Sequence, residues 1–172
     1  MAITINGTGT ITGITAGGLP DAVITQPDLA ANVVGNGPAF SAYPSSTQTV
    51  TQSTWTKLAC NTEEFDTNSN YDTTNYRFTP TVAGHYQVIG SASVTTIAQT
   101  YSSLSIYKNG SRVKDGILSS SSGLYYFSVF ALVYLNGSTD YIELYGQTTG
   151  ATPTFSAGPT ATYFQASMVR SA

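Results

Sequence analysis

The single histidine of the chain, His85, lies in the stretch NYRFTPTVAGHYQV at residues 75–88. A hydrolase triad needs a nucleophile, an imidazole base and an orienting acid that meet in space. No serine occupies a glycine-flanked sharp turn after an apolar strand, which is where an activated nucleophile would be expected. We therefore expect His85 to lack a catalytic role and to begin a strand, sharing one side of it with Gln87 and Ile89.

The same stretch predicts two neighbouring strands joined by a bend. The bend is expected at Pro80 to Gly84, because proline and glycine interrupt regular structure. Alternation with period two makes Phe78, Tyr86 and Val88 candidates for packing in a core.

Acidic side chains concentrate in the polar stretch 61–72, which contains Glu63, Glu64, Asp66 and Asp72. Paired carboxylates serve as acid and base in glycosidases, and loop carboxylates can bind Ca²⁺. These carboxylates have no apolar surroundings to shift their pKa values, and the spacing is not that of a calcium-hand loop. One histidine and one cysteine do not make a zinc site. We expect a solvated loop, and we predict no catalytic residue, metal or cofactor.

Composition narrows the classes of partner. Charged residues make up 9% of the 172 residues, the net charge is −3, and the six basic residues do not form a run. This argues against nucleic acid and against anionic membranes as partners. The first residues lack the pattern of a signal peptide, and no apolar run is long enough to cross a membrane. The surface must be built from uncharged polar residues and tyrosine, which suits contacts with glycans or proteins. Candidate tyrosines are Tyr101, Tyr107, Tyr125, Tyr141 and Tyr145.

From residue 39 onward the pattern is that of β-structure. Short runs rich in Val, Tyr, Phe, Thr and Ile alternate with turn signals, and Asn109-Gly110 and Asn136-Gly137 indicate hairpin turns. We predict an all-β head over residues 39–172, an antiparallel sandwich or jelly roll of eight or more strands. The lone Cys60 excludes an internal disulfide and is expected to be a small buried side chain.

Residues 1–38 differ from the head. ITINGTGTITGIT suits a small strand pair, and the following residues predict one short helix near 26–34. A helix this short is marginal in water and should dock on another surface through an apolar stripe that includes Leu29 and Val33. Residues 35–38, GNGP, are expected to form a hinge.

The stretch LYYFSVFALVYL at 124–135 is apolar on both alternating faces. A strand of an antiparallel sandwich normally exposes one face to water. One face can pack in the sandwich core, and the other needs a cover, which a neighbouring subunit would supply. A monomeric strand with an unusually apolar surface is the alternative.

Residues 39–170 resemble the globular heads of complement's first component, which are relatives of the tumour-necrosis-factor jelly roll. The resemblance rests on AFSAY, YRFTPTVAGHYQV, LSIYKNGSRV, LVYLNGSTDYIELYG and YFQASMV. It implies a jelly roll that forms a homotrimer, with an inner sheet packed around the threefold axis. We accordingly predict that Val129, Val133 and Leu135 lie in the core. The residues predicted at the trimer interface are Phe130, Leu132, Tyr134, His85, Gln87 and Ile89.

The N-terminal stretch GTITGITAGGLPDAVITQPDLAANVVGNGPAFSAY is similar to segments of bacteriophage tail fibres and other virion proteins. This implies a structural protein of the virion, released on host lysis, whose segment 1–38 docks on other virion proteins through Leu29, Val33 and Val34. Host-surface attachment to a glycan or protein is the expected role. A capsid-decorating protein is the alternative, and a carbohydrate-active enzyme or an exported signalling ligand is less favoured.

Overall fold

The computed structural model describes residues 35–97, 101–118 and 123–172. The predicted short helix near 26–34, the docking residues Leu29, Val33 and Val34, and most of the segment 1–38 lie outside the described residues. They stay predictions.

All regular structure within the described ranges is β-strand. The strands are β1 (Ala39–Tyr43), β2 (Gln48–Thr49), β3 (Thr56–Lys57), β4 (Thr62–Asp66), β5 (Tyr71–Asp72), β6 (Arg77–Phe78), β7 (Ala83–Ile97), β8 (Ser102–Lys108), β9 (Ser111–Leu118), β10 (Gly123–Asn136), β11 (Ile142–Thr148), β12 (Ala151–Phe155) and β13 (Tyr163–Ser171).

The strands form two sheets. In the seven-stranded sheet the order is β2-β12-β7-β13-β1-β4, and β10 pairs with the other side of β7 over its whole length. In the six-stranded sheet the order is β5-β6-β11-β8-β9, and β3 also pairs with β11. Every pairing is antiparallel. The predicted fold class, an all-β antiparallel jelly-roll sandwich, is confirmed.

Aromatic rings fill the space between the sheets. Phe40 stacks on Tyr71 and on Phe78 with ring centroids 4.6 Å apart in both pairs, and it meets Phe164 edge-on at 5.0 Å. Such ring contacts add to the free energy gained by burial. Tyr86 packs edge-on against Phe78 at 5.7 Å. The predicted packing roles of Phe78, Tyr86 and Val88 are confirmed, since all three side chains are fully buried.

The histidine-bearing stretch links the sheets. Phe78 ends β6 in the six-stranded sheet, and β7 begins at Ala83 in the seven-stranded sheet. The prediction of two neighbouring strands is therefore wrong in one respect: the bend carries the chain across the sandwich, and the two strands face each other through the core. Period-two alternation reports which side chains point inward, but it does not report which strand is the hydrogen-bonded neighbour.

The two Asn-Gly turns differ. Asn109 and Gly110 both have positive φ, 52° and 75°, and join β8 to β9 as a two-residue hairpin, as predicted. Asn136-Gly137 is not a hairpin turn, because β10 and β11 belong to different sheets. Here the side-chain oxygen Oδ1 of Asn136 accepts hydrogen bonds from the backbone N–H groups of residues 138–140, which supports a change of sheet instead.

The stretch 61–72 is not a continuous loop. Thr62–Asp66 forms β4, which pairs with β1 through a register shift at Ser41/Ala42, and Tyr71–Asp72 forms β5. β4 is an edge strand of sequence TEEFD, in which Phe65 is the one apolar side chain, so it lacks the alternation that marks a half-buried strand.

Candidate functional site

The solvent side of the seven-stranded sheet is unusually apolar along β10. Phe130, Leu132 and Tyr134 are 66%, 56% and 44% exposed. Their neighbours Val129 and Leu135 are 1% and 0% exposed and belong to the core. The predicted division of this strand into a core side and an outer side is therefore what the structure shows, whereas the role of the outer side in a trimer stays a prediction.

β7 brings the other predicted interface residues beside those of β10. The register places His85 opposite Tyr134, Gln87 opposite Leu132, and Ile89 opposite Phe130. Directly opposite residues of an antiparallel pair lie on the same face of the sheet. All six predicted residues consequently share one surface, although His85 and Phe130 are 45 positions apart in the sequence.

A shallow groove of about 170 Å³ continues this surface toward β4. It is lined by Ala39, Phe40, Phe65, Gln87, Ile89, Gln165, Ala166 and Ser167. Phe65 is 50% exposed and was not among the predicted residues, because it lies in the stretch interpreted as a loop. We call the surface formed by Phe65, His85, Gln87, Ile89, Phe130, Leu132 and Tyr134 the apolar face.

An ion pair supports one end of the apolar face. The Lys108 ammonium lies 2.7 Å from a carboxylate oxygen of Asp140, donates to the backbone oxygen of Tyr134 at 2.8 Å, and lies 5.7 Å from the centre of the Tyr134 ring. The hydrogen bond from Lys108, followed by that from Asn109, holds the pKa of Asp140 below its ordinary value. The cluster ties the β8–β9 turn to β10 and orients Tyr134.

A second surface lies on the solvent side of the six-stranded sheet. Tyr107 and Tyr145 stack with ring centroids 3.9 Å apart, and Trp55 lies 6.3 Å from Tyr107. Tyr141 lies beneath the guanidinium of Arg77 at 5.0 Å. We call the surface formed by Trp55, Tyr107, Tyr141 and Tyr145 the aromatic surface.

Three of the five tyrosines singled out from composition therefore belong to one surface. Tyr101 lies elsewhere, beside Thr149, whose side-chain oxygen accepts its backbone N–H. The side chain of Tyr125 is outside the described part of the chain. Sequence reasoning missed Trp55, since nothing in the sequence links the residues around position 55 to those around 107 and 145.

Two of the four acidic residues of the 61–72 stretch, Asp66 and Asp72, accept hydrogen bonds from residues close by in the sequence. Asp66 accepts the backbone N–H groups of Asn68 and Tyr71, and Asp72 accepts those of Thr74 and Asn75. Hydrogen bonds from Asn75 hold the pKa of Asp72 below its ordinary value, which favours the charged form. Within residues 35–97, 101–118 and 123–172, no group of three or more His, Cys, Asp or Glu is placed to hold a metal ion. No helix able to span a membrane occurs in those ranges.

Comparison with known proteins shows the fold. No family model and no curated protein matches the chain. Among solved structures, the globular domain of zebrafish complement 1qA protein is 17% identical, with a TM-score of 0.60 over 78% of this chain and 99% of that chain. Murine APRIL is 11% identical, with a TM-score of 0.62 over 77% and 98%. Eiger TNF from S. frugiperda is 12% identical, with a TM-score of 0.61 over 78% and 93%. The chain has the jelly-roll fold of the complement heads and the tumour-necrosis-factor proteins.

Proposed function

We propose that this chain is a non-enzymatic structural protein of a bacteriophage virion, which assembles as a homotrimer and attaches the particle to the host surface. The observation that carries the proposal is the apolar face. Four large apolar or aromatic side chains, Phe65, Phe130, Leu132 and Tyr134, are each at least 44% exposed on one side of one sheet. Contiguous apolar surface of this kind marks an interaction site.

Three copies are favoured over two by the arrangement of the apolar face. β10 forms one margin of the sheet and carries Phe130 and Leu132, whereas β4 forms the other margin and carries Phe65 beside the groove. Two different patches on one face suit a head-to-tail contact, in which one copy's margin packs on the next copy's groove. Such contacts form a ring when the rotation between copies closes, and a filament when it does not. The resemblance to complement and tumour-necrosis-factor heads supports a ring of three.

The proposal that the protein belongs to a virion is based on the N-terminal stretch, which is similar to segments of phage tail fibres. We propose that residues 1–38 dock on other virion structural proteins through Leu29, Val33 and Val34. The head would then project outward to meet a host glycan or protein, with no part in binding nucleic acid or inserting into a membrane. The protein would be assembled in the host cytoplasm and released on lysis.

Labelling of particles tests this role. Gold-conjugated antibodies against the head should decorate the tail tip or fibres of the phage that encodes the chain, and the purified head should bind host cells and slow adsorption of that phage. Decoration of the capsid, with no effect on adsorption, would replace attachment with the capsid-decorating alternative. Absence of the protein from purified particles would contradict both.

A further inference from the structure

The aromatic surface has the composition of a ligand site and is separate from the apolar face. Along β11, side chains that point away from the core alternate with buried Ile142 and Leu144. The outward series begins at Tyr141, the residue before β11, and continues in the strand with Glu143, Tyr145 and Gln147. Aromatic rings therefore alternate with planar polar groups in one line, in the middle of a sheet.

The polar groups beside the rings are held in place. Lys57 lies opposite Tyr145 in the β3–β11 pair and forms an ion pair with Glu143 at 2.5 Å, although Glu143 is only 4% exposed. The Gln147 amide donates to the backbone oxygen of Ser53 at 2.6 Å. The Arg112 guanidinium lies 5.3 Å from the centre of the Trp55 ring. Preorganised polar groups of this kind lower the entropy lost on binding.

Small side chains lie beside the aromatic surface on the neighbouring strand β8. Ser105 is opposite Tyr145, and Ser103 is opposite Gln147. Both serines are fully buried, and their hydroxyls donate to the backbone oxygens of Lys114 and Gly116. Ser103 and Ser105 are short, and their hydroxyls already have hydrogen-bond partners. They therefore leave room for Tyr107 of β8 and Tyr145 of β11 to stack.

One buried donor of this surface lacks an acceptor. The Nε atom of Arg77 is shielded from solvent and makes no hydrogen bond among the described residues. Buried polar atoms without partners are uncommon, and each calls for an explanation. Because this atom is shielded, a ligand would meet Arg77 through the rest of the guanidinium, which lies 5.0 Å from the centre of the Tyr141 ring.

From these features we infer that the aromatic surface binds an uncharged glycan. A pyranose ring presents C–H groups, which pack against the negative face of an aromatic ring, and a rim of hydroxyls, which both donate and accept. The charged groups here are balanced: Lys57, Arg77 and Arg112 lie among Asp72, Asp115 and Glu143. The surface thus offers no excess charge to an acidic sugar.

An extended peptide fits the same surface less well. Peptides commonly add a strand to a free sheet edge, where backbone groups are unpaired. β11 is flanked by β8 on one side and by β3 and β6 on the other, so it has no such edge. A flat ligand that covers side chains suits a sheet face better.

This site deepens the proposed attachment role, but its geometry does not depend on the trimer. If the apolar face is covered by neighbouring copies, the aromatic surface points outward from each. Three weak sites on one particle component would then raise the apparent affinity for a surface glycan by about 10²–10⁴-fold.

Trp55 is the only tryptophan in the chain, so its fluorescence reports directly on this site. We would titrate the full chain with maltohexaose, cellohexaose, chitohexaose and mannohexaose as neutral probes, and with polygalacturonate and sialyllactose as acidic probes. At least one neutral probe should shift the Trp55 emission in a saturable manner. The variants Tyr145→Ala and Arg77→Lys should each raise the dissociation constant about tenfold, whereas Tyr126→Ser, an exposed tyrosine on the other sheet, should leave it unchanged.

Each remaining outcome would overturn the inference. The inference would be wrong if no neutral probe gave a saturable shift of the Trp55 emission, or if only the acidic probes bound. It would also be wrong if Tyr145→Ala and Arg77→Lys bound the neutral probe with an unchanged dissociation constant. The mass and unfolding temperature of every variant would be measured alongside, so that loss of binding is not mistaken for loss of folding. A chain that is trimeric and binds host cells, yet ignores the neutral probes, would overturn this site while leaving the proposed function intact.

Discussion

Tyr134 lies directly opposite His85 on the solvent side of the β7–β10 pair, with ring centres 5.5 Å apart. The two rings close one end of the apolar face, which continues along both strands to Ile89 and Phe130. The lone histidine of the chain therefore lies on the surface that we propose for contact between subunits. Among the residues that the structure describes, His85 belongs to no group of three or more His, Cys, Asp or Glu placed to hold a metal ion.

The ion pair behind Tyr134 predicts a pH dependence of stability. The pKa of Asp140 is depressed in the folded chain, chiefly by the hydrogen bond from Lys108. A carboxyl of this kind stabilises the fold above its unfolded pKa, and that contribution is lost as the pH falls through the folded pKa. Asp140→Asn should lower the unfolding temperature at pH 7 and flatten its decline below about pH 4.

Asp115→Asn is the matched control for this prediction. Asp115 is exposed and lies 3.7 Å from Arg112, so its replacement should change the free energy of unfolding by less than about 1 kcal/mol. Equal effects of the two variants at pH 7 would contradict a special role for Asp140.

The turn from β10 to β11 predicts a strict need for glycine. Gly137 has φ +70°, and a Cβ there would lie 2.3 Å from the backbone nitrogen of Ala83. Gly158 has φ +95°, but a Cβ there would meet nothing within 4 Å. Gly158→Ala should cost about 1–2 kcal/mol from backbone strain alone. Gly137→Ala should cost clearly more by chemical denaturation, and a smaller loss than that of Gly158→Ala would be inconsistent with the described turn.

Cys60 should be inert toward thiol reagents in the folded chain. Its side chain is fully buried, and burial raises the pKa of the thiol to about 12. Because the thiolate is the reactive form, labelling at pH 8 should proceed only as fast as the protein opens. The labelling rate can be measured by reacting the folded chain with a maleimide, quenching samples at successive times and determining their mass. Rapid labelling of a chain that retains its native circular dichroism would show that Cys60 is exposed.

The features that the sequence predicted well depend on local alternation. In β10 the apolar residues repeat with period two on both sides, so Val129 and Phe130 could be assigned to opposite faces before any partner strand was known. The features that the sequence did not predict depend on how strands far apart in the sequence pair with each other. β4 is a polar edge strand recognisable only by its pairing with β1, and Asn136-Gly137 differs from Asn109-Gly110 only in the sheet that follows. Trp55 and Tyr107 meet across 52 positions, which no local pattern indicates.

The apolar face predicts a variant that dissociates the assembly. Leu132→Asp places a charge where the proposed interface has none, and an unpaired buried charge costs roughly 3–5 kcal/mol. Sedimentation velocity should show a monomer that still unfolds cooperatively, because Leu132 makes no part of the core. Val113→Asp is the control, since Val113 is also exposed and apolar but lies in the six-stranded sheet. An assembly that survives Leu132→Asp would show that the apolar face is not the interface.

The molar mass of the wild-type chain in solution tests the central claim most directly. Light scattering coupled to size exclusion, at micromolar concentration and neutral pH, should give close to three times the chain mass of 18.1 kDa. A mass of 18.1 kDa under those conditions would mean that the apolar face stays exposed to water, and it would contradict the proposed homotrimer.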